Sequence, residues 1–185
     1  MIAETEKEAK ESMEMAIEFA TEDLASIRTG RAHPAMFNKL TAEYYGAPTP
    51  LQQLATFTSQ DARTMLITPF DRSSMAAIEK AIRDADLGVN PSNDGNSIRI
   101  VMPQLTEERR RDYIKMARGK AEDARIVVRN ARRHAMDQLK KYEKDGDISE
   151  DDFARAEKSI DAMTKKYVEQ VDELLKSKEQ DLSEV

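Results

Sequence analysis

The sequence predicts an α+β chain of two domains: a long three-helix bundle with a small mixed β/α domain inserted into it, joined by a two-stranded hinge. Three observations carry this. All six prolines (Pro34, Pro48, Pro50, Pro69, Pro91, Pro103) and four of the six glycines (Gly30, Gly46, Gly88, Gly95) fall in one central block. Proline costs ~3 kcal/mol inside a helix, so the flanks are free to be helical and the centre is not. Charged residues make up 35% of the chain and aromatics 5%, a profile of long solvated helices. Each flank also repeats apolar residues every three or four positions. The boundaries place the bundle at residues 1–29 and 105–185 and the inserted domain at 30–104.

The first helix carries Met13, Ile17, Ala20, Leu24 and Ile27 on one seam. The second carries Ile114, Ala117, Ala121, Ala124, Val128, Ala131, Ala135 and Leu139, whose alanines allow close approach. The third carries Phe153, Ala156, Ile160, Met163, Tyr167, Val171 and Leu174. Three such seams bury one another as a bundle, and ~35 residues per later helix give roughly 50 Å. Lys144-Asp145-Gly146-Asp147 reads as a tight antiparallel turn. Ser149 follows as N-cap, with Glu150, Asp151 and Asp152 at the positive helix end and Ile148 stapled to Phe153.

In the central block, Leu40, Ala42 and Tyr44 alternate with polar residues, as do Met65 and Ile67, and Ile98, Ile100 and Met102. Ser73 or Ser74 caps a short helix carrying Ile78, Ala81, Ile82 and Ala85, which Leu87-Gly88 ends. Tyr44 and Tyr45 precede a Gly46-Ala47-Pro48 turn, one facing the small core and the other outward. The chain crosses between domains near Thr29-Gly30 and Pro103-Gln104. A few residues there suffice for a hinge: Arg28, Thr29, Gly30, Arg31 and Ala32 on one crossing, Met102, Pro103, Gln104 and Leu105 on the other.

Charge supplies the functional signal. Arg111, Arg118, Arg125 and Arg132 recur every seventh residue, with Arg129 one turn from each of the last two and Arg133 one turn beyond Arg129. In a helix this spacing makes one slanted stripe. Residues 105–133 hold ten basic and five acidic residues in a chain whose net charge is −6. A cationic stripe on an acidic protein points to a polyanionic partner. The bland alternative is a solvated face paired with acids one turn away or on the other helices. Between Arg125 and Arg133, however, there are four arginines and no acid. RNA is favoured over DNA because no finger, helix-turn-helix or other base-reading motif is present.

Several chemistries are excluded. The absence of cysteine removes disulfides, thiolate nucleophiles and cysteine-based zinc sites. His33 and His134 lie in different domains, and Gly119-Lys120 lacks the rest of a phosphate loop. Asp145, Asp147, Ser149 and Asp151 imitate the start of a calcium loop but put Glu150 and Ala156 where glycine and glutamate belong. The expectation is a protein with no catalytic residues, no metal and no cofactor. No apolar run is long enough to span a membrane and the N-terminus does not read as a signal peptide, so the expected location is the cytoplasm.

Seven motifs in order resemble the bacterial ribosome recycling factor family. They are Ile27-Arg28-Thr29-Gly30-Arg31-Ala32; Glu43-Tyr44-Tyr45-Gly46 with Pro48-Thr49-Pro50-Leu51; Phe70-Asp71-Arg72-Ser73; Asp86-Leu87-Gly88 with Asn90-Pro91; Leu105-Thr106-Glu107-Glu108-Arg109-Arg110; Val128-Arg129-Asn130 with Arg132-Arg133; and Ile148-Ser149-Glu150-Asp151-Asp152. The resemblance implies a monomeric translation factor that acts after termination. It implies docking on the ribosomal RNA of the large ribosomal subunit, with Arg132 and nearby Arg129 at the family's main RNA-contact positions. With elongation factor G, which binds the GTP, such factors split the ribosome and release mRNA and tRNA, the second domain swinging about the hinge. Where the family pattern has an acidic residue after the paired arginines, this chain has His134. Charge and heptads alone leave two other readings open: a helical scaffold binding an acidic protein, and an RNA chaperone acting without the ribosome.

Overall fold

The computed structural model describes residues 1–183. The chain forms two compact units, one of Met1–Ile27 and Arg111–Gln180, the other of Arg28–Arg110 with residues 181–183.

The first unit is helical: α1 (Ile2–Ala25), α4 (Glu107–Lys144, from its fifth residue on) and most of α5 (Glu150–Ser183). Its core is a series of small clusters along the helices, with alanine in every one. Ala9, Ala135, Met136, Leu139, Ala156 and Ile160 form the cluster nearest the α4–α5 turn. Met13, Ala16, Val128 and Tyr167 form the next, followed by Ala20, Ala121, Ala124 and Val171, then Leu24, Ile27 and Ala117. The α1 seam is rotated slightly from its sequence reading, since Ala16 is buried and Ile17 only half-buried.

The α4–α5 turn is built by its backbone. Gly146, at φ 77°, donates to Glu143 O, and Asp147 donates to Tyr142 O at 2.8 Å. These two bonds satisfy carbonyls at the end of α4, and the positive φ is what requires glycine there. Ser149 Oγ then accepts from Asp152 N at 3.1 Å, and Ile148 and Phe153 pack on one cluster. A turn followed by a capped helix therefore accounts for the acidic residues that imitate a calcium loop. At the other end of α4, Thr106 Oγ1 accepts from Arg109 N.

The second unit contains a hairpin, β1 (Thr41–Tyr44) with β2 (Ala47–Pro50), and a four-stranded antiparallel sheet. The sheet runs in the order β3 (Ala55–Ser59), β4 (Thr64–Pro69), β6 (Ile98–Val101), β5 (Ser92–Asn93). A single turn, α2 (Leu51–Leu54), and the longer α3 (Met75–Asp84) complete it. Phe37, Leu51, Met65, Ile67, Ile78, Ile82, Ile98 and Ile100 make one continuous core. Tyr45 and Gly46, both at positive φ, form the hairpin turn; Tyr44 packs inward while Tyr45 is 87% exposed.

Two features of this unit differ from the sequence reading. The strands β2 and β3 lack its pattern: β2 carries Pro48 and Pro50, tolerated because it is an edge strand, and β3 is mostly polar. The turn before α3 is capped by Asp71, whose Oδ1 accepts from Ser73 N at 2.9 Å, and neither Ser73 nor Ser74 makes a side-chain cap.

Asp71 belongs to a set of carboxylates that hold backbone turns. The Ser73 N–H holds its carboxyl below the ordinary 3.8, helped by the Ser73 and Tyr44 hydroxyls. Asp61 is lowered chiefly by the Arg63 N–H and Asp94 by the Asn96 and Ser97 N–H groups. On Asp152 the largest cause is the Arg155 guanidinium. A folded carboxyl that titrates below its unfolded value adds stability fully present above that value and lost as pH falls through the folded one. Thermal melts should therefore be nearly flat from about pH 8 to 5 and fall below about pH 4. Asp71→Asn should lessen that acid sensitivity; a melting temperature unchanged down to about pH 3 would contradict this assignment.

Candidate nucleic-acid interface

In the first unit α4 and α5 run antiparallel, and this direction decides what the arginine stripe does. Arg118 Nε donates to Glu179 at 2.6 Å, and Arg125 Nε donates to Asp172 at 2.8 Å. Seven residues forward on α4 have moved the partner seven residues back on α5. A further step would pair Arg132 with Lys165, a cation; instead Arg132 Nε donates to Asp161, one turn onward, at 2.6 Å. The heptad repeat of arginines is thus in large part an interhelical ion-pair ladder, its acids supplied by a segment remote in sequence.

The six arginines are not equivalent. Arg125 is the most enclosed, its side chain 18% exposed and shared between Asp172 and Glu122. Burial opposes its charge, and the hydrogen bonds it donates to Asp172 and Glu122 outweigh that and raise its pKa. Arg129 lies 3.5 Å from Glu122 and is 55% exposed. Arg133 donates to the neutral Asn130 side chain. Arg132, 40% exposed, uses only Nε on Asp161. Arg118 is exposed beyond its bond to Glu179, and Arg111 is exposed near the start of α4. Arg129, Arg132 and Arg133 share one helical face within two turns, the spacing at which helix side chains are neighbours.

Exposed apolar residues stand on the same two helices: Ile126 and Val127 on α4, Met15 and Phe19 on α1. Met15, Val127, Asn130 and His134, with Glu8 and Glu11, line a groove between α1 and α4. The sequence carries a signal for Phe19, which is large and apolar but off the α1 seam.

The proposed hinge residues make these contacts within the second unit. Ala32 N donates to Ala62 O at 2.9 Å, and Met102 N to Arg63 O at 2.7 Å. Arg63 Nε and one terminal nitrogen return to Met102 O at 3.0 and 2.9 Å. One turn, 62–63, therefore fastens Ala32 and Met102, a role for Arg63 that no spacing in the sequence suggests. Arg28 donates to Asp86 O at 3.2 Å and lies over Gly88, where a Cβ would meet its guanidinium at 2.5 Å. Thr29 Oγ1 accepts from Arg31 N. Gly30, Pro103, Gln104 and Leu105 lie outside regular elements.

Among the described residues no cluster of acids and histidines is arranged to hold a metal ion, and no helix is long and apolar enough to cross a membrane.

Comparisons with known proteins agree along the whole chain. A family model described as ribosome recycling factor matches residues 20–182. The ribosome-recycling factor of Cutibacterium acnes is 63% identical over 179 residues, 97% of each chain. That of Acidothermus cellulolyticus is 61% identical over 185 residues, the full length of both. A solution structure of a ribosome recycling factor superposes with a TM-score of 0.84 at 36% identity, covering 100% of this chain and 98% of that one. A Thermus thermophilus ribosome recycling factor, in models with Escherichia coli elongation factor G on the post-termination complex, gives 0.72 at 44% identity, covering 98% of each chain. Family model, full-length relatives and fold all point the same way: the chain belongs to the ribosome recycling factor family, whose members are non-enzymatic factors of protein biosynthesis.

Proposed function

We propose that this chain docks through its helical unit on ribosomal RNA of the large subunit. With elongation factor G and GTP, bound by that partner, it then splits the post-termination ribosome, releasing mRNA and tRNA. It acts as a monomer in the cytoplasm. The observation that carries the RNA reading is the cluster Arg129, Arg132 and Arg133, whose partners, one acid each for Arg129 and Arg132 and the neutral Asn130 for Arg133, leave guanidinium N–H groups open on an exposed face. Such a face suits phosphate contacts that position a strut without reading bases. The relative seen with elongation factor G on a post-termination complex supports the partner.

The second unit moves about the two crossings. Because Ala32 and Met102 are fastened to the 62–63 turn, the dihedral changes fall outside them, in residues 29–31 and 103–105. The deciding assay is splitting of post-termination ribosomes with elongation factor G and GTP. A disulfide engineered between the two units should leave large-subunit binding intact and abolish splitting. Full splitting by the tethered form would refute the hinge. Cosedimentation with isolated large subunits, compared with Arg132→Ala, separates this reading from a scaffold for an acidic protein or a ribosome-independent RNA chaperone.

A further inference from the structure

We propose that Asp161 is a positioning residue for Arg132, holding its guanidinium by Nε so that both terminal NH2 groups face a phosphate; this rests on the RNA-binding reading above. The Asp161 Oδ1 bond to Arg132 Nε, at 2.6 Å, occupies one of five N–H donors. Among the described residues no partner is recorded for the terminal nitrogens of Arg132. Arg125 contrasts with this: Nε and both terminal nitrogens are engaged by Asp172 and Glu122, so its fork is consumed by the fold. Arg118 is anchored by Nε like Arg132 but has Glu122 at i+4, where Arg132 has Arg129 and Arg133 within one turn.

An acid beside an RNA-binding arginine has two opposite possible effects. It can weaken binding by cancelling charge, or strengthen it by fixing a side chain that would otherwise lose rotamer freedom on docking. The surroundings of Asp161 favour the second. On α5, Lys158 and Lys165 stand at i−3 and i+4 of Asp161, and all three are exposed. Glu157 stands at i−4, so with Arg132 facing from α4 three cations stand around two carboxylates and the local field remains cationic. The repulsion of a phosphate by Asp161 is offset locally while its hold on Nε is retained. The offset step in the ladder has the same consequence. Because Lys165 occupies the position that the heptad register offers Arg132, the guanidinium is drawn to Asp161 instead of being enclosed as Arg125 is.

The two effects predict opposite signs in binding to purified large ribosomal subunits at ~0.1 M salt. Asp161→Ala makes the protein more positive, yet is expected to bind about five-fold more weakly. Asp161→Asn keeps an acceptor for Nε and should lose less. Asp161→Ala with Arg132→Ala should bind no more weakly than Arg132→Ala alone, since the acid acts through the arginine. The salt slope of Asp161→Ala should match wild type, because the number of phosphate contacts is unchanged. Equal or tighter binding by Asp161→Ala and Asp161→Asn, with Arg132→Ala weakened, overturns the proposal alone. An Arg132→Ala protein that binds like wild type removes the RNA-binding reading and the proposal with it.

Discussion

Truncating Leu139 or Ile160 to alanine should destabilise the helical unit by ~3–5 kcal/mol, toward the upper end of the range for such changes. Both side chains are fully buried in one cluster whose other buried members are Ala9, Ala135, Ala156 and Met136. The cost of a large-to-small substitution depends on whether neighbours can fill the space. Alanines have no rotamers to rearrange, and they already bring the helices close. Among the described residues Met136 is the one other buried member with rotamers, and half-buried Ile2, Tyr142, Ile148, Phe153 and Met163 at the cluster's margin can relax only part-way into the void. At ~2–4 °C per kcal/mol for a chain of this size, the first unit's melting temperature should drop by roughly 6–20 °C. Phe19→Ala is the control. Phe19 is 58% exposed, and its loss should change stability by no more than ~0.5 kcal/mol. Equal effects from Leu139→Ala and Phe19→Ala, followed by far-ultraviolet circular dichroism, would contradict the packing described here.

The elements easiest to read in the sequence were those whose structure is local. The α5 start needs only Ile148, Ser149, Asp152 and Phe153, and the turn before it only Gly146 and the last carbonyls of α4. Helical seams were legible for the same reason, since a 3.6-residue period is imposed by one burying face. The strands β2 and β3 were not, because their place depends on a partner strand. Pro48 and Pro50 are acceptable only on an edge, and Thr56, Thr58 and Ser59 show no burial pattern before β4 pairs with them. The arginine stripe lies between these cases. Its spacing announced a shared face, but its partners Asp161, Asp172 and Glu179 lie 29 to 61 residues away. Local counting of signs finds an acid-free segment at Arg125–Arg133; antiparallel packing brings the acids back. Arg63 is hidden for a similar reason, because its target is the carbonyl of Met102, and a carbonyl has no residue type to recognise.

That redistribution of charge gives the large-subunit complex an expected salt dependence. If Arg129, Arg132 and Arg133 supply the phosphate contacts, three counterions are released, and the slope of log K against log salt should be about −2 to −3. Between 50 and 200 mM salt the affinity would then fall roughly thirty-fold. Replacing any one of the three by alanine should lower the slope magnitude by ~0.7–0.9 and weaken binding at every salt concentration. Arg125→Ala should behave differently. Its guanidinium already answers two carboxylates and is 18% exposed, so its removal should lower the melting temperature while leaving the slope unchanged. A slope near zero would exclude phosphate contacts altogether. A slope lowered equally by Arg125→Ala and Arg132→Ala would mean that the ladder opens on the ribosome and that α5 surrenders its arginines to RNA. The two arginines are seven residues apart on one helix and each is held by an acid of α5, so the comparison tests whether Arg125, enclosed by two carboxylates, and Arg132, held by one, differ in the donors they leave facing outward.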